Sequence, residues 1–135
     1  MSVQILEIKT QREGMIDITS RLNQAVSSIP SGLLIVQNSH TSCGLTINEA
    51  FDPSAKEDME NFLRHLAPEN LKFIKHTDEG PDDSPSHMKT LLVQPTLSII
   101  IEDGKLMLGQ WQGVYLCEFR RSPKLRRLYI KILKD

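Results

Sequence analysis

The sequence predicts an α+β domain, and three observations carry that expectation. Strand-sized apolar or alternating runs occupy both ends of the chain, and helical periodicity is confined to the interior. The order of strands, a helix, two strands, two helices and four strands also lacks the regular alternation that a doubly wound parallel sheet needs. In order along the chain, residues 5–9 and 15–19 flank the turn-prone Gln11-Arg12-Glu13-Gly14 and predict a first hairpin. Thr19 or Ser20 can cap a helix in which Leu22, Ala25, Val26 and Ile29 keep a helical period, and Pro30 with Gly32 ends it. Residues 33–37 and 45–48 form two strands separated by the polar stretch 38–44.

Asp52 opens the clearest helix. Its carboxylate can accept a capping bond, Pro53 suits the first helical position, and Ala55, Met59, Phe62, Leu63 and Leu66 share a face until Pro68 stops the run. Ser84-Pro85 repeats the start signal for a short helix reaching about Leu92. Strands then follow at 97–102, 105–108, 114–119 and 128–133, with Asp103-Gly104 as a tight turn, and these predict an antiparallel meander. Leu128, Ile130 and Ile132 alternate with Tyr129, Lys131 and Leu133, which gives the last strand one buried face.

The 135 residues are expected to form one domain, spanning 1–135, that buries roughly two-thirds of the surface its unfolded chain would expose. Such a core needs no structural metal, so a bound metal would be functional. Sixteen Lys and Arg against seventeen Asp and Glu give no excess charge of the kind that drives nonspecific binding to nucleic acid or anionic lipid. The charged N-terminal stretch has no signal-peptide core, and no run is long enough to span a membrane, so a soluble cytoplasmic protein is expected. Cys43 and Cys117 make no framework and read as free thiols, with an intrachain bridge as the alternative.

Chemistry concentrates in two segments. HTSCGLTINEAFD supplies His40, Thr41, Ser42, Asn48, Glu49 and Asp52; HTDEGPDDSPSH supplies His76, Asp78, Glu79, Asp82, Asp83 and His87, with Gly80, Pro81 and Pro85 constraining the backbone. Imidazole nitrogen and carboxylate oxygen suit zinc, manganese and related ions, and the same groups manage protons, so either a metal or an acid/base site can be built from them. No H-x-x-x-H or H-E-x-x-H spacing decides between the two. His65, near a helix C-terminus, reads as structural. Cys43, close to His40, reads either as a nucleophile or as an inert thiol, and Cys117 reads as a core residue. Trp111 between Gln110 and Gln112 is either core or an aromatic substrate wall. Arg120, Arg121, Lys124, Arg126 and Arg127 surround a Ser-Pro turn and can either grip a phosphate or form a solvated turn. No glycine-rich phosphate loop accompanies them.

The segments HTSCGLTINE, HTDEGPDDSPSH with its closing Met88-Lys89, and GKLMLGQWQGVYLCEFR, in that order, resemble the YjbQ-like family, often labelled secondary thiamine-phosphate synthase. The likeness covers nearly the whole chain. It implies an α+β fold with an antiparallel β-sandwich, a homotrimer, and a polar site near subunit boundaries. His40, Asn48, Glu49 and Asp52 match the first motif; His76, Gly80, Asp82 and His87 the second; Trp111 and Gln112 the third. Cys43 stands where the family commonly has alanine, Gln110 where threonine is frequent, and Asp83 where asparagine is also common.

The resulting expectation is an enzyme with a histidine-carboxylate site, assisted by a divalent ion (zinc, magnesium or manganese), acting on a small phosphorylated metabolite. The resemblance implies weak thiamine phosphate synthase activity, joining an aminopyrimidine diphosphate to a thiazole phosphate. His40, His76 and His87 are the expected metal ligands; His40, Glu49, Asp82 and His87 the catalytic groups; and Ser42, Asn48, Asp52, Gly80, Trp111 and Gln112 the substrate contacts. The alternative is a non-catalytic homotrimer that binds a metal or small ligand, because binding and catalytic pockets draw on the same residue types.

Overall fold

A computed structural model describes residues 2–135. Strands β1 (Gln4–Thr10), β2 (Gly14–Asp17), β3 (Ser31–Asn38), β4 (Cys43–Glu49), β5 (Thr96–Glu102), β6 (Lys105–Leu106), β7 (Gln112–Glu118) and β8 (Lys124–Lys134) accompany helices α1 (Thr19–Val26), α2 (Pro53–Leu66) and α3 (Asp83–Thr90). The strands form two antiparallel sheets, one ordered β1-β8-β3-β5-β6 and the other β2-β7-β4. The α+β class read from the residues and the antiparallel two-sheet arrangement implied by the family resemblance are both present.

Period-2 alternation puts Ile8, Leu34, Val36, Ile99, Ile101, Leu128, Ile130 and Ile132 on the inner face of the larger sheet. There they pack with Leu45, Val114 and Leu116 of the smaller sheet and with Leu22 and Val26 of α1. The other face of the smaller sheet carries Met15, Tyr115, Cys117 and Phe119, covered by Met59 and Leu63 of α2. Strand β7 is therefore buried on both faces, while β8 is buried on one.

That difference explains two departures from the sequence reading. The four C-terminal strands are not a meander: only β5 and β6 pair with each other, β7 pairs with β2 and β4, and β8 inserts between β1 and β3. A strand needing cover on both faces and one needing it on a single face belong in different layers, so the turn between them changes sheets. For the same reason β1 and β2 form no hairpin, since β1 pairs with β8 and β2 with β7. The Asp103-Gly104 turn is as expected, with φ of 52° and 71°, the left-handed pair a two-residue hairpin favours.

The helices also differ in detail. Asp17, not Thr19 or Ser20, supplies the accepting carboxylate at the start of α1, taking bonds from both the amide and the hydroxyl of Thr19. Asp52 caps α2 as expected, accepting from the Ser54 amide at 2.9 Å. Only part of the expected apolar face of α2 packs inward, and Phe62 and Leu66 remain exposed. No helix among the described residues is long and apolar enough to cross a membrane.

Both cysteines are free and buried. Adjacent strands place Gly44 opposite Cys117, yet Cys43 faces the inter-sheet core and Cys117 faces α2, so no bridge joins them. Burial pushes each thiol up to about 12, which leaves neither available as a thiolate nucleophile near neutral pH.

Candidate functional site

The loop after α2 and the first turn of α3 gather the most reactive group of side chains. Gly80, at φ 103°, occupies a backbone region that side chains rarely adopt, and it turns the chain toward Asp82 and Asp83. On α3, Asp83 and His87 lie one turn apart and share a face. Asp83 Oδ2 stands 2.8 Å from His76 Nε2 and 3.1 Å from His87 Nε2. His87 Nδ1 lies 2.6 Å from the carbonyl oxygen of Thr41; a carbonyl only accepts, so Nδ1 carries a proton and Nε2 is aimed at Asp83. Donor atoms of His76, Asp83 and His87 all fall within 4.8 Å of one another, the one such group among the described residues.

Burial within this cluster is asymmetric. The Asp83 side chain is 4% exposed, against 57% for His76 and 36% for His87, so the cluster opens to solvent on its imidazole side. Arg120 closes the opposite side. Its Nη1 donates to Asp83 Oδ1 at 2.8 Å, its Nε to Asp82 Oδ2 at 3.1 Å and its Nη2 to the Glu79 carbonyl at 2.9 Å. Burial opposes ionisation of Asp83, but the hydrogen bond from His76 and the charges of His87 and Arg120 outweigh it and hold the carboxyl below its usual range.

Asp82, expected among the catalytic groups, points away from the histidines. Its Oδ2 accepts from Arg120 Nε and from the Arg121 amide, an engagement that orients Arg120 and leaves Asp83 to face the histidines. His40 is likewise outside the cluster, because its Nε2 accepts the Arg127 amide at 2.9 Å. Ser42 lies beneath, its Oγ and carbonyl accepting from Arg126. Arg126 also donates to Glu118, which takes a further bond from Thr10 in a fully buried network.

Burial and then the Arg126 charge press the His40 pKa below its ordinary value. The unfolded chain therefore binds this proton more readily than the folded one. His40 contributes stability above about pH 6.5 that is lost as pH falls through the folded value. In urea titrations at successive pH values, His40→Gln is expected to flatten the midpoint decline below about pH 6.5 relative to wild type.

The remaining expected residues collect at the other end of β4, roughly 20 Å away at the rise of an extended strand. Asn48 accepts from the Glu49 amide; Glu49 accepts from the Phe51 and Asp52 amides at 2.6 and 3.0 Å; Gln112 accepts from the Gly109 amide. These side chains shape turns. Trp111, half-exposed, is not core: it meets Phe51 edge-on with ring centres 4.7 Å apart. Two arginines of the basic turn are buried and committed, and the other two make exposed ion pairs. Arg120 and Arg126 are buried in ion pairs, Arg121 pairs with Glu69 at 3.0 Å, and Arg127 pairs with Glu7 at 3.0 Å.

Asp83, noted only within its acidic segment, and Arg120, noted only as part of a basic cluster able to grip a phosphate, are not among the expected catalytic, metal or substrate residues. The four-residue spacing from Asp83 to His87 on a capped helix was the available signal for the first. Nothing local pointed to the second.

The protein-family model described as UPF0047 protein YjbQ-like matches residues 4–135. The UPF0047 protein MJ1081 of Methanocaldococcus jannaschii is 42% identical over 132 residues, covering 96% of this chain and 92% of that protein. The UPF0047 protein YugU of Bacillus subtilis is 39% identical, with 95% and 96% covered. Among solved structures, the conserved hypothetical protein TT1486 from Thermus thermophilus superposes with a TM-score of 0.87 at 37% identity, covering 96% of this chain and 99% of its own. Hypothetical protein APE1520 from Aeropyrum pernix gives 0.88 at 26% identity with both chains fully covered.

Proposed function

The chain belongs to the UPF0047 YjbQ-like family, and from that premise we propose that it is an enzyme whose His76–Asp83–His87 cluster holds a divalent cation and acts on a small phosphorylated or diphosphorylated metabolite. The convergence of two imidazole nitrogens and one carboxylate oxygen, open on one side, carries this reading. That donor set suits zinc or manganese better than magnesium, which prefers oxygen alone. The Thr41 carbonyl on His87 Nδ1 supports it further, since a ligating histidine commonly donates its other N–H to such a group and thereby fixes the tautomer.

The bound ion would supply Lewis-acid stabilisation of charge on a departing phosphate or diphosphate. His76 is the most exposed of the three, so substrate would reach the ion from its side of the cluster. Asp83 and Thr41 hold the two rings in register.

The reaction proposed first is the joining of an aminopyrimidine diphosphate to a thiazole phosphate with loss of diphosphate. Assembly as a homotrimer is part of the proposal; Ile5, Ile100, Tyr129 and Leu133, exposed on the outer face of the larger sheet, support it. Two free thiols fit a reducing, cytoplasmic setting.

Diphosphate release from this substrate pair and from a panel of phosphorylated metabolites tests the reading. We expect turnover that needs added zinc or manganese and is lost in His87→Ala. Saturable binding without product across the panel would instead identify a ligand-binding protein.

A further inference from the structure

Resting on the reading that His76, Asp83 and His87 hold a cation, we infer that Arg120 is a positioning residue that restricts Asp83 to a single ligating oxygen. The two carboxylate oxygens of Asp83 face different chemistry. Oδ2 meets both imidazoles, whereas Oδ1 accepts from Arg120 Nη1 at 2.8 Å.

The guanidinium is itself fixed at every edge. Asp82 takes its Nε, the Glu79 carbonyl takes its Nη2, and the residue is only 8% exposed. A planar fork held in this way cannot swing aside when a cation arrives, so Oδ1 stays occupied and the carboxylate cannot chelate through both oxygens. Asp82 thereby gains a role that its distance from the histidines would not suggest: it aims Arg120.

The consequence is a site with three protein donor atoms and no fourth. Positions beyond those three remain for water or a substrate oxygen, the arrangement characteristic of catalytic centres, whereas structural sites are closed by four protein ligands. An ion pair serving only stability would leave the number of metal-bound oxygens unchanged when altered. That number is therefore the discriminating readout.

Cobalt(II) is the probe, because its visible absorption weakens and shifts as its coordination number rises. Wild type is expected to bind it with the spectrum of a site holding a singly bound carboxylate. Arg120→Lys keeps the positive charge but loses the fork and frees Oδ1 to join the metal, so the band should weaken and shift as the coordination number rises. An unchanged band, whatever the affinity, would overturn the role of Arg120 and leave the metal reading standing. A folded wild type that binds no cobalt, zinc or manganese would overturn both.

A crystal structure of zinc-loaded wild type decides the same point without a substitution, so a poorly folding variant does not shield the inference. Zinc on Oδ2 with Arg120 still on Oδ1 is the expected result. Zinc bound by both oxygens contradicts it.

Discussion

His76→Ala combined with His87→Ala is expected to lower affinity for zinc or manganese by more than about 100-fold and to leave the fold intact. Loss of groups that merely orient metal ligands costs about 10–100-fold, and this variant removes two of three direct donors. Asp83 would remain, still bonded through Oδ1 to Arg120, and one carboxylate oxygen cannot hold a transition metal against water. The fold survives because both rings lie on the solvent-open side of the cluster and neither belongs to the hydrophobic core. Calorimetric titration with near-ultraviolet circular dichroism separates the two effects. Retained affinity in the folded variant would remove the histidines from the site.

The second large effect is on stability. Glu118→Leu is expected to destabilise the protein by about 3–5 kcal/mol, the usual cost of leaving one member of a buried ion pair without its partner. Glu118 is fully buried and Arg126 nearly so; the carboxylate accepts from Arg126 Nε at 2.8 Å, from the Thr10 hydroxyl at 2.6 Å and from the Arg120 amide at 3.1 Å. At this chain length the loss corresponds to roughly 10–18 °C in melting temperature. Adding Arg126→Met to Glu118→Leu should recover much of it, because the orphaned charge is then gone. A melting temperature within a few degrees of wild type for Glu118→Leu alone would show that water reaches the pair.

The network ties the His40 loop to β7 and β8 through Ser42 and Arg126, and Thr41, between His40 and Ser42, orients His87. Its removal should therefore also weaken metal affinity without touching a ligand.

Element identities were largely legible in the sequence because periodicity reports burial. The alternation of Leu128, Ile130 and Ile132 already gave β8 its single buried face, and the signals at Asp52-Pro53 gave the start of α2. Pairing was not legible, since a polar turn reads alike whether it returns a strand to its neighbour or carries it to the opposite sheet. The segments joining β1 to β2 and β7 to β8 both change sheets. The outward turn of Phe62 and Leu66 on α2 was hidden for a related reason: an apolar stripe shows that a helix is amphipathic, not how much of the stripe its sheet covers.

In the site, His76 and His87 stood out by residue type and by their polar, Pro/Gly-containing segment. The choice between Asp82 and Asp83 depends on where α3 begins, because one residue of helix rotates a side chain by about 100°. Asp83 falls beneath the imidazoles, and Asp82 falls against Arg120 and the Arg121 amide. His40 was drawn toward the metal set by type alone. The Arg127 amide that occupies its Nε2 lies 87 residues away in the chain, a contact only the sheet pairing creates.

The central claim is that His76, Asp83 and His87 form a cation site, and metal stoichiometry after chelator treatment and reconstitution tests it most directly. Wild type is expected to take up one zinc or manganese ion per chain, and the His76→Ala, His87→Ala variant none. Folded wild type that retains neither ion in excess metal would contradict the claim.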